Sequence, residues 1–355
     1  MMKHLLLEKN TNMTFPSTRF LGSKSKLIPW IYQNIKDLEY RSVLDAFGGT
    51  ASFSFLMKKL GKRVYYNDYL KFNQIVGKSI IENQTERISN SELMTILTRK
   101  NKNYRDIIVK NFRGIYFKDY ENKWLDYIIQ NIYLIKNQYK RSILLSALFQ
   151  ACLIKRPFNL FHRNNLNLRT NDVTRTFGNK TSWDRPFKEH FIKFVQEYNN
   201  HVFNNFENNK VIGGFDVLEI PKKKYDLVYL DPPYLSKNSK INYLDYYHFL
   251  EGISDYYNWE KRIDYSSKLR KFKQVKDIEK WTKNKRVEIL FKKMINRYKK
   301  SIIVLSYRND GVPTVGDIMD MFQEITGKKP IVKMINHKYA LSNGSTKEVL
   351  FISKN

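Results

Sequence analysis

The stretch YDLVYLDPPYLSKNS, residues 225–239, constrains the chain more than any other. Leu227 to Leu230 reads as a short, fully buried strand. Neither Pro232 nor Pro233 can donate a ladder hydrogen bond, so the chain must leave its sheet at Asp231. A carboxylate, a rigid donor-free backbone and the aromatic face of Tyr234 are thereby set at a strand's C-terminal end. In open α/β sheets that edge is where ligands bind.

The unit from which such a sheet is built stands at 41–69, RSVLDAFGGTASFSFLMKKLGKRVYYNDY. A first strand is expected over 43–47, a helix with apolar residues at helical spacing over 51–60, and a second strand over 64–67, ended by Asp68. Further strands are expected at 211–215, before Asp216, then at 227–230, 301–306, 330–335 and 349–353, the last two as a terminal hairpin. The fold class is therefore α/β, with a largely parallel, Rossmann-like sheet. The glycine turn after the first strand lacks both the full G-x-G-x-x-G and the Lys-Ser/Thr of a triphosphate loop. What remains is a close-approach turn, Gly48-Gly49, flanked by Asp45 and Phe47, with Asp68 on the next strand. An acid so placed can accept both hydroxyls of a ribose, so the pocket suits a nucleoside cofactor without phosphates.

Composition enters where it limits partners. The 355 residues suffice for one large domain or two ordinary ones, and the formal net charge is +29. Such an excess reflects either a Lys- and Asn-rich compositional bias or a polyanionic partner, most simply nucleic acid. The excess is localised. Residues 86–205 carry 21 Lys and Arg against 10 Asp and Glu, and residues 236–300 carry 18 against 8. The first stretch shows helical periodicity around 124–139 and 142–153, then an irregular piece, KRPFNLFHRNNLNLRTNDVTRTFGNKTSW. It reads as an inserted binding module. The second stretch is expected to be mostly helical. Cys152 is the only cysteine, which excludes an intramolecular disulfide and a cysteine-based zinc site. The N-terminal apolar run is too short for a signal-peptide core or a membrane span, so a cytoplasmic protein with no membrane partner is expected.

The strand end at Asp231 suits one kind of chemistry. The lone pair of an exocyclic amine on a nucleobase is delocalised into the ring, which makes it a poor nucleophile. A site that accepts both amino hydrogens pulls the nitrogen toward tetrahedral geometry while a methyl donor waits in line. Asp231 supplies one acceptor and the Pro232 carbonyl the other, its direction fixed by the locked proline φ angles. Tyr234 offers a face for stacking, and a base in a duplex must be extruded to reach it.

Taken together, the chain resembles the DNA adenine-N6 methyltransferases of the Dam-like, D12 class, with motifs in the α-type order. RFLGSK (19–24) matches their N-terminal cofactor motif, LDAFGGTAS (44–52) the F-x-G-x-G motif, YNDY (66–69) the ribose motif, GFDV (214–217) the adenosine-side acid and DPPY (231–234) the catalytic motif. VLSYRNDG (304–311) and HKYALSNGSTKEVLFI (337–352) resemble the late motifs, and KRPFNLFHRNNLNLR (155–169) resembles a segment of the FokI-type modification methylases. The resemblance implies S-adenosyl-L-methionine as cofactor, S-adenosyl-L-homocysteine as product and no metal. It implies that Phe20 and Lys24 contact the cofactor's methionine portion and adenine-facing wall. Asp45, Phe47 and Gly49 would line the cleft, Asp68 would hold the ribose, and Asp216 with Val217 would stand at the cofactor's adenine. Asp231, Pro232, Pro233 and Tyr234 would hold the target adenine. Ala51 stands where the family often has a third glycine, a departure expected to narrow the turn without abolishing binding.

The organisation expected is a catalytic domain in two parts, 1–85 and 206–355, around an inserted, basic, mainly helical target-recognition region, 86–205, with a second basic helical insert at about 236–300. Arg156, Asn159, His162, Arg163 and Arg169 are the candidate DNA-binding residues, since Arg suits guanine and Asn suits adenine in base readout. The partners expected are double-stranded DNA and a cognate restriction endonuclease, with the chain acting as a monomer. The alternatives are methylation of cytosine N4 or of RNA, and a DNA-binding protein without chemistry. An intact DPPY beside an intact cofactor cleft disfavours the last.

Overall fold

A computed structural model describes residues 15–98, 103–171, 180–236, 239–240, 242–273, 281, 284–337 and 346–353. Strands β1 (Ser42–Asp45), β2 (Arg63–Asn67), β3 (Lys210–Gly213) and β4 (Leu227–Leu230) precede a two-stranded hairpin, β5 (Leu235–Ser236) and β6 (Ser239–Lys240). Strands β7 (Ile302–Arg308), β8 (Ile331–Asn336) and β9 (Lys347–Ile352) follow. Seven of them form one sheet in the order β3-β2-β1-β4-β7-β9-β8. The β3–β7 part is parallel, which requires crossover connections such as the Ser52–Lys59 helix between β1 and β2. β9 enters antiparallel between β7 and β8. The expected α/β architecture with a Rossmann-like sheet is the one observed.

Alternation along the strands divides the apolar residues between two cores. Val43, Val64, Leu227, Tyr229, Val304, Leu350 and Ile352 face one side. Leu44, Val228, Leu230, Ile303, Leu305, Val349 and Phe351 face the other. Because both faces are covered, the parallel strands read as continuous apolar runs. The second face is closed by residues of the Asn284–Tyr298 and Val315–Thr326 helices, among them Phe291, Met294, Ile318 and Phe322.

On the first face Phe53 of the Ser52–Lys59 helix stacks on Tyr229, and the insert packs outside the helices that lie there. Its central helix, Gln138–Ile154, buries every residue from Ser142 to Leu153, as a helix apolar nearly all round must. Phe149 meets Phe72 of the Lys71–Gly77 helix edge-on, and the insert's apolar residues join those of the sheet in one continuous cluster. The helices start and stop elsewhere than periodicity indicates. The first runs Asp119–Tyr133, and Asn137 starts the next by accepting from the Tyr139 and Lys140 N–H groups, an N-cap that divides the apparent run.

Two other expectations shift for local reasons. β1 ends at Asp45 rather than at residue 47, because the Gly48 N–H crosses to the Asn67 carbonyl, 2.8 Å away, and bends the chain over the sheet edge. The stretch 263–273 is not helical. Asp264 takes the Ser266 N–H on its side chain, a turn that competes with helix formation, and Ile263 bridges antiparallel to Phe272. The KQVKDIEK part of that segment beyond residue 273 lies outside the described residues, as does most of HKYALSNGSTKEVLFI before residue 346.

Candidate active site at the strand ends

Asp45, Asp68 and Asp231 all stand at or just beyond the C-terminal ends of parallel strands. The turn between β1 and its helix is built for close approach. A Cβ on Gly48 would lie 2.1 Å from the Tyr66 ring, and Gly49 sits at φ +50°. The Tyr66 hydroxyl donates to the Gly49 carbonyl at 2.7 Å. Ala51 follows at φ 66°, a conformation costly for a residue with a Cβ. Asp68 secures the same turn from β2, accepting the Gly49 N–H at 2.8 Å and the Leu70 N–H at 2.8 Å. Burial raises the Asp68 pKa, with those two backbone bonds working against it.

Asp45 is fully enclosed, 1% exposed. Its Oδ2 accepts from Ser54 Oγ at 2.7 Å, while Oδ1 has no hydrogen-bond partner. Burial pushes its carboxyl up to about 7; the Ser54 bond opposes that, and the charges of Asp231 and Asp68 add to it. A buried acceptor with no donor, among carboxylates, is a place for a cation.

Asp231 is more open than Asp45, with a side chain 17% exposed. Lys24 Nζ lies 3.1 Å from its Oδ1 and 3.1 Å from Oε1 of Glu348. The Tyr234 hydroxyl lies 2.9 Å from Asp231 Oδ1 and 3.0 Å from Glu348 Oε1, and Lys24 donates to the tyrosine oxygen. Ser306 Oγ donates to the same Glu348 oxygen. Burial raises the Asp231 carboxyl to about 6, Lys24 pulls it down and Glu348 pushes it up. Burial disfavours charge on Lys24, and the two carboxylates outweigh it, so its pKa is raised. The RFLGSK turn delivers this lysine because the Leu21 N–H donates to the Tyr247 hydroxyl and Ser23 meets Thr50 at 3.3 Å.

The other residues singled out by sequence fall as follows. Phe20 is buried, stacked on Phe72 and edge-on to Tyr247. Phe47 meets Trp281 edge-on at 5.5 Å, and the Trp281 indole donates to Asp216 Oδ2 at 2.9 Å. Val217 is buried, its carbonyl accepting from the Tyr298 hydroxyl. Pro232 is buried and Pro233 half-buried. Tyr234 is not an open platform here: its ring is 7% exposed, with Lys24 Nζ 4.4 Å from its centroid and Tyr307 against its edge.

Two DNA-binding candidates turn inward. Arg156 is 1% exposed and donates to the carbonyls of Leu160, Tyr116 and Arg163. Arg169 pairs with both oxygens of Glu121, at 2.7 and 2.9 Å, and Lys155 joins the same carboxylate at 2.9 Å. Base readout by these two side chains is thus corrected: an irregular loop has backbone carbonyls that no ladder serves, and these guanidinium groups serve them. Arg163 is exposed, while Asn159 and His162 are half-buried. A cavity of about 500 Å³ opens beside Asn159, lined also by Arg19, Arg156, Phe158, Arg185 and Lys193 among others. Glu348, Ser306 and Trp281 are the site residues that sequence reasoning does not single out. An acid inside the apolar run KEVLFI is the one signal that could have found Glu348, since buried polar groups are the informative exceptions.

The sequence matches the D12 class N6 adenine-specific DNA methyltransferase family over residues 20–307. It is 29% identical to the Type II methyltransferase M2.HphI of Haemophilus parahaemolyticus, over 97% of this chain and 99% of that protein. It is 26% identical to the modification methylase StsI of Streptococcus sanguinis, over 94% of this chain and 50% of that protein. With the Type II methyltransferase M.FokI of Planomicrobium okeanokoites it shares 27% identity, over 83% of this chain and 45% of that protein. The chain thus spans nearly all of the first relative and about half of the other two. It belongs to the D12 class of N6 adenine-specific DNA methyltransferases.

Proposed function

We propose that the chain transfers a methyl group from S-adenosylmethionine to N6 of adenine in duplex DNA, and that it is the modification enzyme of a restriction-modification system. The observation that carries the reading is the placement of Asp231-Pro232-Pro233-Tyr234 directly beyond β4, one strand from the Gly48-Gly49 turn. When bound, the cofactor supplies a methyl group made electrophilic by its sulfonium charge. The free Oδ1 of Asp45 and the neighbouring carboxylates suit that cation. Gly49 and Phe47 line its cleft, Asp68 takes its ribose while anchoring the Gly49 turn, and Asp216 takes its adenine, sharing that carboxylate with Trp281. Asp231 and the Pro232 carbonyl accept the two amino hydrogens of the target and expose its nitrogen lone pair.

Residues 86–205 are the target-recognition region on this reading, with Arg163, Asn159 and His162 toward DNA and Arg156 and Arg169 holding their loop. A cognate endonuclease is the partner implied by the type II and modification-methylase names of the relatives. Labelled methyl transfer to DNA and to RNA tests the reading. Incorporation into DNA alone is the expected result, and Asp231→Ala should lower it about 10²-fold or more while cofactor affinity is kept. Near-normal turnover by Asp231→Ala would remove the catalytic assignment.

A further inference from the structure

The last strand of the chain reaches into the catalytic motif. Glu348 lies 324 residues from Lys24 in sequence, is 0% exposed, and gathers Lys24, Tyr234 and Ser306 on a single oxygen. A wholly buried carboxylate is costly to keep, and this one stands across Lys24 from Asp231. We propose that Glu348 is a positioning residue for methyl transfer, one that shares Lys24 and Tyr234 with Asp231 and so governs how readily Asp231 accepts the amino hydrogens of the target base. The proposal rests on the reading of DPPY as the catalytic motif.

Two carboxylates face one ammonium at 3.1 Å each. Tyr234 has a single hydroxyl hydrogen, which serves Asp231 or Glu348 but not both at once. The tyrosine hydrogen given to Glu348 is lost to Asp231, and the ammonium's charge is divided between the two carboxylates. Replacing Glu348 by an uncharged isostere releases both donors to Asp231 and removes an anion, so Asp231 stays ionised to lower pH. Removing the lysine charge leaves two buried acids face to face, so Asp231 holds its proton to higher pH. The other titratable groups acting on Asp231 are Asp45 from β1, Tyr229 from β4 and Tyr243 from the Tyr243–Ile253 helix. His337, just past β8, faces Glu348 and Lys24. All of these are the same in both variants.

The test is the pH profile of kcat for DNA methylation, measured for the wild type, Glu348→Gln and Lys24→Met. Glu348→Gln should move the acid limb down and Lys24→Met should move it up, each by about one pH unit, with kcat lowered in both. A uniform loss of activity with the limb unmoved, or both limbs moving the same way, would overturn the proposal in favour of a merely structural ion pair. Should Glu348→Gln fail to fold, as judged by its thermal melt, Ser306→Ala replaces it. That change takes one donor from Glu348, increases its draw on Lys24 and Tyr234, and should move the limb up; an unmoved limb contradicts the proposal equally. Asp231→Ala separates the two levels. Full activity in that variant removes the reading of the motif itself, whereas an inactive Asp231→Ala with unmoved Glu348 and Ser306 profiles removes only the role of Glu348.

Discussion

Asp45 carries a consequence of crowding three carboxylates at one sheet edge. Its pKa near 7 falls when a cation settles beside its unpartnered oxygen, so cofactor binding should release a proton around neutral pH. Affinity for S-adenosylmethionine should therefore rise with pH, by up to about tenfold per unit, and level off above about 7. S-adenosylhomocysteine lacks the sulfonium charge and should show little of this. Calorimetric titration in two buffers of different ionisation enthalpy measures the proton directly; equal proton release for both ligands, or none for either, would detach Asp45 from the sulfonium. Asp45→Asn should abolish the difference. Asp231 is legible in the sequence because two prolines fix where its strand ends; Asp45 is marked by the glycine turn that follows it, although its strand stops at Asp45 and not at residue 47. Glu348 is not, because sequence does not say that β9 lies beside β7, and so does not bring residue 348 to Lys24.

At the scale of elements, the irregular loop after the Gln138–Ile154 helix divides its arginines by task. Arg156→Ala leaves the Leu160 and Arg163 carbonyls without this donor and the Tyr116 carbonyl with Arg169 alone, and should lower stability by about 2 kcal/mol or more. Arg163→Ala touches no such bond from its side chain and should leave the melting temperature alone. It should cost about 1–3 kcal/mol in target binding and relax preference at one base position, or weaken all duplexes alike if it grips phosphate. Melting curves together with matched and single-mismatch duplexes separate the two variants. If Arg156→Ala melts like the wild type and loses specificity, the assignment is reversed. The sequence shows the loop's irregularity and its cations but not their direction. Arg156 and Arg163 have the same chemistry, and only the fold decides which of them meets the Tyr116 carbonyl. The central strands are legible almost throughout, since both faces of the sheet are covered there and their apolar runs are unbroken. The 263–273 stretch is not, because a run of lysines suits a solvated helix or an extended pair, and the Asp264 turn decides between them.

For the whole molecule, the apolar residues of 86–205 and those of one face of the sheet form one continuous cluster, so on the proposed reading the recognition region and the strand edge move as one body. The net charge of +29 gives that body a general affinity for duplexes, which makes binding strength alone a poor witness to function. Chemistry on the base is the better witness. The most direct measurement is long-read sequencing of DNA from a methylation-free host expressing either the wild-type chain or Asp231→Ala. N6-methyladenine should appear in one fixed sequence context with the wild type, and none with the variant. Methylation at cytosine N4, or adenine methylation that persists in Asp231→Ala, would contradict the role of Asp231 in adenine-N6 transfer.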